Sequence, residues 1–150
     1  MASFEEILKR PGKENKPPQP LPAGTYHCLV DGPPSHEESS QKKTPCRVYK
    51  FKILKAMEDV NSKEAAEAQV AGKIIGGQYA GAAFYITEEQ AWRYNEFLEN
   101  HLGIDNPGQE KSIEELEREA PGRQLLVKLK HDISQDGKRV FHKIESTMHV

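Results

Sequence analysis

Long apolar runs are missing from this chain. No stretch approaches the roughly 20 residues that a membrane-spanning helix needs, and Met1 to Arg10 is amphipathic at best, without the apolar centre of a signal peptide. A soluble, cytoplasmic protein with no membrane partner is expected. Cysteine is equally scarce: the chain has 2, Cys28 and Cys46. They sit in separate strand-like segments and form no close-spaced ligand pair, which argues against zinc and favours two reduced, half-buried thiols over a disulfide. Neither sign of charge is in excess, because 21 Lys and Arg stand against 23 Asp and Glu for a net charge of −2. Such a balance gives no global attraction to nucleic acid or to acidic lipid, so any nucleic-acid role must come from a local patch.

Catalytic signatures are also lacking. His27, His36, His101, His131, His142 and His149 form no HxH or HExxH set, and there is no CxxC. Gly76-Gly77 is too short for a phosphate-cradling loop. Ser39-Ser40 falls in a polar loop and the carboxylates of 114–119 on a solvated helix face. No catalytic residue, metal or cofactor is expected, and the chain reads as a non-enzyme. His131 and His142 stand where a hairpin would bring them near each other; the structural reading of that pair is preferred to a functional one.

What the sequence does contain is alternation. The hydrophobic share of 36% is low and the charged share of 29% high, so one domain of 150 residues with a solvated arm is the fitting picture. Residues 1–22 form that arm: Phe4, Ile7 and Leu8 are spaced for a short amphipathic helix, Pro11-Gly12 stops it, and Pro17, Pro18, Pro20 and Pro22 favour extended backbone. Phe4, Ile7 and Leu8 are candidate partner-binding or oligomerisation residues, with a frayed terminus as the alternative. Residues 23–150 form the folded domain. Gly24 to Val30 reads as a strand, 31–45 as a polar loop, and Arg47 to Leu54 as a second strand with Tyr49, Phe51 and Ile53 on its core face and Val48, Lys50 and Lys52 on the other. Asn61 or Ser62 caps an inserted helix within 57–72. Lys73 to Ile86 is a third strand, in one or two pieces because of its glycines.

Thr87-Glu88-Glu89-Gln90 predicts a capping box and a helix from Thr87 to about His101, with Ala91, Tyr94, Leu98 and Leu102 on its buried stripe. Ser112 to Glu115 is a second capping box, and Pro121-Gly122 ends its helix. A hairpin closes the chain, from Arg123 to His131 and from Lys138 to Met148, turning at Asp136-Gly137. Leu125, Val127 and Leu129 face inward on its first strand; Val140, Ile144 and Met148 share one face of the second, and Arg139, Phe141 and Lys143 the other.

Three strands, a helix and two strands give the element order of a five-stranded OB-type barrel, mainly β with α, with a helix between strands 3 and 4 and an inserted helix between strands 2 and 3. A sheet with a packed helix but no closure has nearly the same order. The segments AGTYHCLVDG, FYITEEQAWRYNEFLENHLGI and APGRQLLVKLKHDISQDGKRVFHKIESTM together resemble small phage-encoded proteins of replication and recombination gene clusters, the single-stranded-DNA-binding kind. The resemblance runs over about residues 22 to 148, with the arm and the 57–72 insertion as departures. It implies an OB-type fold, single-stranded DNA as partner, and a place in replication, recombination or repair in the host cytoplasm.

The residues that fit this chemistry are Lys128, Lys130, Arg139, Phe141 and Lys143 on the outward face of the hairpin, extended by Lys50 and Lys52. Cations neutralise phosphates and a ring stacks a base without reading sequence. The bland alternative is a solvated face with Phe141 filling a helix contact. Trp92 and Phe97 lie off their helix stripe and are either exposed platforms or packed under a loop; of Tyr26, Tyr49, Tyr79, Phe84 and Tyr85, at least half are expected in the core. The rival function is a protein-interaction module on the same barrel, an assembly factor or an inhibitor of a host defence complex. It would use the arm and the acidic inserted helix, as a homo-oligomer or with other replication or recombination proteins. Near-neutral charge favours the rival, as does an ending, STMHV, without an acidic recruiting tail.

Overall fold

Period-two burial organises the chain into two antiparallel sheets flanked by short helices. The computed structural model describes residues 3–12, 20–39, 41–77 and 81–150. In chain order the elements are α1 (Phe4–Lys9), β1 (Gly24–Val30), β2 (Ser35–Glu38), β3 (Pro45–Val48), β4 (Lys50–Ala56), α2 (Ser62–Ala68), β5 (Ile74–Gly76), β6 (Ala83–Tyr85), α3 (Ala91–Glu96), α4 (Ile113–Glu119), β7 (Gln124–Ile133) and β8 (Val140–Met148). A five-stranded sheet runs β5-β4-β1-β7-β8 and a three-stranded sheet runs β2-β3-β6. The protein is thus mainly β with some helices, and its larger sheet curls into a half-barrel.

The curl has local causes. Between β3 and β4 the alternation breaks, because Val48 and Tyr49 are both buried; the chain bends there and passes from one sheet to the other. Gly76 lies against this bend at φ +120°, where any side chain would run into the Tyr49 carbonyl. Register shifts between His27 and Cys28 in the β1–β4 pairing and between Lys128 and Leu129 in the β7–β8 pairing add further coiling. At the far edge, β8 comes against the start of β6: a side chain on Gly81 would meet the Ile144 carbonyl at 2.9 Å, and Gly81, Ala82 and Ile144 together line a cleft of about 260 Å³.

Tyr26, Phe51, Ile53, Leu98, Leu125, Val127, Leu129 and Ile144 are all buried, as their spacing predicts. Cys28 and Cys46 form no disulfide and are fully, not half, buried. Burial raises the Cys28 thiol to about 12, so it stays protonated and inert at neutral pH. The Asn61 cap on the inserted helix forms as read, with the Glu64 amide donating to Asn61 Oδ1 at 3.0 Å. On α4 only half of the capping box forms, the Glu115 amide donating to Ser112 Oγ at 3.2 Å while the Glu115 carboxylate accepts from the Ser112 hydroxyl at 3.3 Å.

Other expectations are corrected. The 31–45 loop contains an exposed strand, β2, which the prolines and charges around it conceal; it is short and polar, as suits an edge strand. The second strand is two strands in different sheets, so Val48 is buried while Lys50 and Lys52 are exposed. The helix predicted from Thr87 starts at Ala91, after a turn, and has no side-chain cap. Phe97 is not an exposed platform but fully buried. A π-helical turn over Phe97–His101, closed by the Leu102 amide on the Phe97 carbonyl at 2.9 Å, rotates Phe97 and Leu98 together into the core. Met148 does not share the face of Ile144: the irregularity at Lys128/Leu129 pairs it with Leu126 and turns it outward. Tyr79 and residues 13–19 of the arm lie outside the described residues, whereas the end of the arm does not lie free: Leu21 is only 5% exposed. No helix among the described residues is long and apolar enough to cross a membrane.

Candidate nucleic-acid interface

Strand pairing determines which side chains share a face, because directly opposed residues point the same way. Leu129 opposes Ile144 on the buried side, so Lys130 and its partner Lys143 project outward, as do Asp132 and its partner Phe141. Lys128 projects on the same outer face, opposite Thr25 of β1 and Ser146 of β8. On β4, Phe51 and Ile53 are buried, which sends Lys50 and Lys52 outward. All of the strand-borne candidates therefore occupy the outer face of one sheet. Lys52 is level with Leu29 of β1 and, through it, with Gln124 of β7, so Lys50 and Lys52 lie two strand spacings to the side of Lys128 and Lys130 and at least four residues along from them, roughly 16 Å or more away. Arg139 sits at the exposed hairpin turn, where its amide donates to Ser134 Oγ at 3.1 Å. Phe141 is 40% exposed, so its ring presents area to solvent and does not fill a helix contact.

The electrostatics of this face are uneven. Lys128 pairs loosely with Glu145 at 3.7 Å, an exposed contact worth about 0–1 kcal/mol. Lys130 and Lys143 oppose each other directly, and neither they nor Lys50 and Lys52 have a carboxylate within ion-pair reach among the described residues. Like charges directly across a strand pair destabilise the sheet. Between the lysine rows lie His27 and Leu29, which oppose Leu126 and Gln124. They complete the surface and were not singled out in the sequence, since β1 alternates apolar residues on both faces. Phe4, Ile7 and Leu8 are exposed on α1, with Phe4 at 79%, and touch nothing that defines a site. Trp92, at 63% exposed, stands on α3 and lines a shallow cleft with Asn95, Glu99, Gln109 and Ile113, none of which belongs to the lysine face.

A second polar cluster was not legible in the sequence. The Tyr49 hydroxyl donates to that of Tyr94 at 2.6 Å, which donates to Glu117 Oε1 at 2.6 Å, and Arg47 Nε reaches the same oxygen at 2.8 Å. The chain ties the β3–β4 bend to α3 and α4. Both tyrosines are fully buried, and burial pushes their hydroxyls well above the usual phenol range, so they act as permanent donors. This arrangement holds structure and has no open position for a reactant. Glu117→Ala is expected to leave the Tyr94 hydroxyl without its acceptor and to cost about 1–3 kcal/mol in urea unfolding. Glu117→Gln, which keeps an acceptor oxygen, should cost visibly less; equal losses would mean that the hydrogen bond is not what Glu117 contributes.

No family model matches the chain, and no curated protein matches it either.

Proposed function

We propose that the protein binds single-stranded DNA without sequence specificity on the outer face of its five-stranded sheet. The observation that carries this reading is the directly opposed Lys130–Lys143 pair beside the exposed ring of Phe141, with Asp132 on the same face but no carboxylate within ion-pair reach of either lysine among the described residues. An anionic ligand resolves the repulsion of that pair, and the ring supplies a stacking plane beside it. In the same reading the two sheets are halves of an OB-type barrel. β3 and β4 act as one bent strand, β5 and β6 as a second, α3 follows that second strand in the chain, and Ile144 approaching Gly81 marks the seam. The segments quoted above that resemble phage single-stranded-DNA-binding proteins support a role in replication, recombination or repair.

A labelled oligonucleotide titrated by fluorescence anisotropy tests the proposal. If Lys50, Lys52, Lys128, Lys130 and Lys143 all touch phosphate, the log–log salt slope is expected near about −3.5, at about 0.7 per contact. Affinity should then fall roughly a hundredfold between 50 and 200 mM salt, with little difference between sequences. Absence of binding even at low salt would overturn it. The protein-interaction reading would then take its place, favoured by one observation: a capped helix, α1, that presents Phe4, Ile7 and Leu8 to solvent.

A further inference from the structure

The inner face of the same hairpin carries a different device. His131 and His142 oppose each other across β7 and β8, and both rings grip one residue of the N-terminal arm. His131 Nε2–H donates to the Leu21 carbonyl at 2.8 Å, and the Leu21 amide donates to His142 Nδ1 at 3.2 Å. One position further on, the Tyr26 hydroxyl donates to the Pro22 carbonyl at 2.6 Å. Leu21 and Pro22 are buried as a result, and Leu21 joins the core. The end of the arm is therefore strapped across the barrel by side chains of β1, β7 and β8.

The two histidine contacts differ in what a proton does to them. The His131 bond uses a ring N–H, which is present in both charge states. The His142 bond requires a bare Nδ1, which exists only in the neutral ring. A proton on His142 places N–H against N–H at Leu21 and sets a positive charge opposite His131. We propose that His131 and His142 form an acid-released clasp, in which protonation of His142 frees Pro20–Pro22 from the sheet.

The surroundings of His142 fit this role. His131 on β7 and the Leu21 peptide of the arm face it, and Tyr26 on β1 behind the strap titrates near about 12 and stays neutral. Lys130, Asp132, Phe141 and Lys143 point to the opposite face of the hairpin. Burial and the neighbouring His131 hold the His142 imidazole below its ordinary 6.5. The sign follows: the released form binds the proton more readily than the clasped form, so the clasp is intact above 6.5 and weakens as pH falls below it.

Amide hydrogen exchange of the full chain, corrected for intrinsic rates, reads the clasp at Leu21. With a released-state value of 6.5, protection at Leu21 is expected to fall by up to about thirtyfold between pH 7.5 and 5.0, while core amides such as Ile53 keep theirs. In His142→Asn the side-chain oxygen accepts where Nδ1 does and takes no proton, so protection at Leu21 should no longer depend on pH. The His142 ring proton resonance in the wild-type protein should titrate below 6.5. Constant protection at Leu21 in the wild-type protein, a titration at or above the ordinary value, or the same acid loss in His142→Asn would each overturn the clasp.

Discussion

Phe97→Ala is expected to lower the unfolding free energy by about 3–5 kcal/mol, the largest loss of any single substitution considered for this chain. The ring is fully buried and stands where the sheets and helices meet. It lies 5.2 Å from Tyr49 at the strand bend, 6.2 Å from Phe51 on β4, 4.5 Å from Phe84 on β6 and 6.0 Å from His101 at the end of the π-helical turn. Truncation removes these contacts at once and leaves a cavity that rigid neighbours cannot fill, since Tyr49 and Tyr94 are held by their hydroxyl chain to Glu117. Trp92→Ala on the exposed side of the same helix should change stability by no more than about 0.5 kcal/mol. Urea unfolding followed by circular dichroism measures both. A Phe97→Ala loss below about 1 kcal/mol would mean that the π-helical turn does not hold the ring in the core.

The contrast between Phe97 and Trp92 shows where the sequence speaks plainly and where it does not. Alternation in Leu125, Val127 and Leu129, or in Phe51 and Ile53, is a local property of strands, and those positions are buried as their spacing predicts. Helical spacing likewise places Tyr94 and Leu98. Phe97 escapes because one extra residue in a turn shifts the stripe, and an i+5 hydrogen bond has no compositional signature. The same kind of event hides the face change at Met148, where an irregularity in the pairing resets the alternation midway along β8. β2 was hidden for another reason: it is exposed along its whole length and its residues, SHEE, are all polar, so no apolar alternation marks it although it pairs with the next strand, β3. Of the candidate site, the outward lysines and Phe141 were legible because they follow from period two on long strands. The Tyr49–Tyr94–Glu117–Arg47 chain and the grip of His131 and His142 on Leu21 depend on contacts between distant segments, which no local pattern encodes.

Phe141→Ala is expected to weaken single-stranded DNA binding by about 1–3 kcal/mol, or about 5- to 150-fold, while leaving the salt slope nearly unchanged. The reason is that the ring offers a stacking plane and no charge, so its loss releases no counterion. Lys130→Ala should behave in the opposite way. It removes one phosphate contact, so affinity falls alike for all sequences and the magnitude of the log–log slope drops by about 0.7. Lys128→Ala adds a check on the surface ion pair: the contact with Glu145 is exposed and weak, so breaking it to bind phosphate costs little, and the slope should drop as for Lys130. Phe141 is partly exposed and opposes Asp132 rather than the core. Thermal melting of Phe141→Ala should therefore stay close to that of the parent chain, which separates loss of affinity from loss of fold. Phe141→Tyr preserves a flat ring and should retain binding, whereas Phe141→Leu preserves apolar area without the plane and should not. Undiminished binding by a folded Phe141→Ala variant, or equal binding by the Tyr and Leu variants, would remove stacking from the account and leave the lysines alone to explain it.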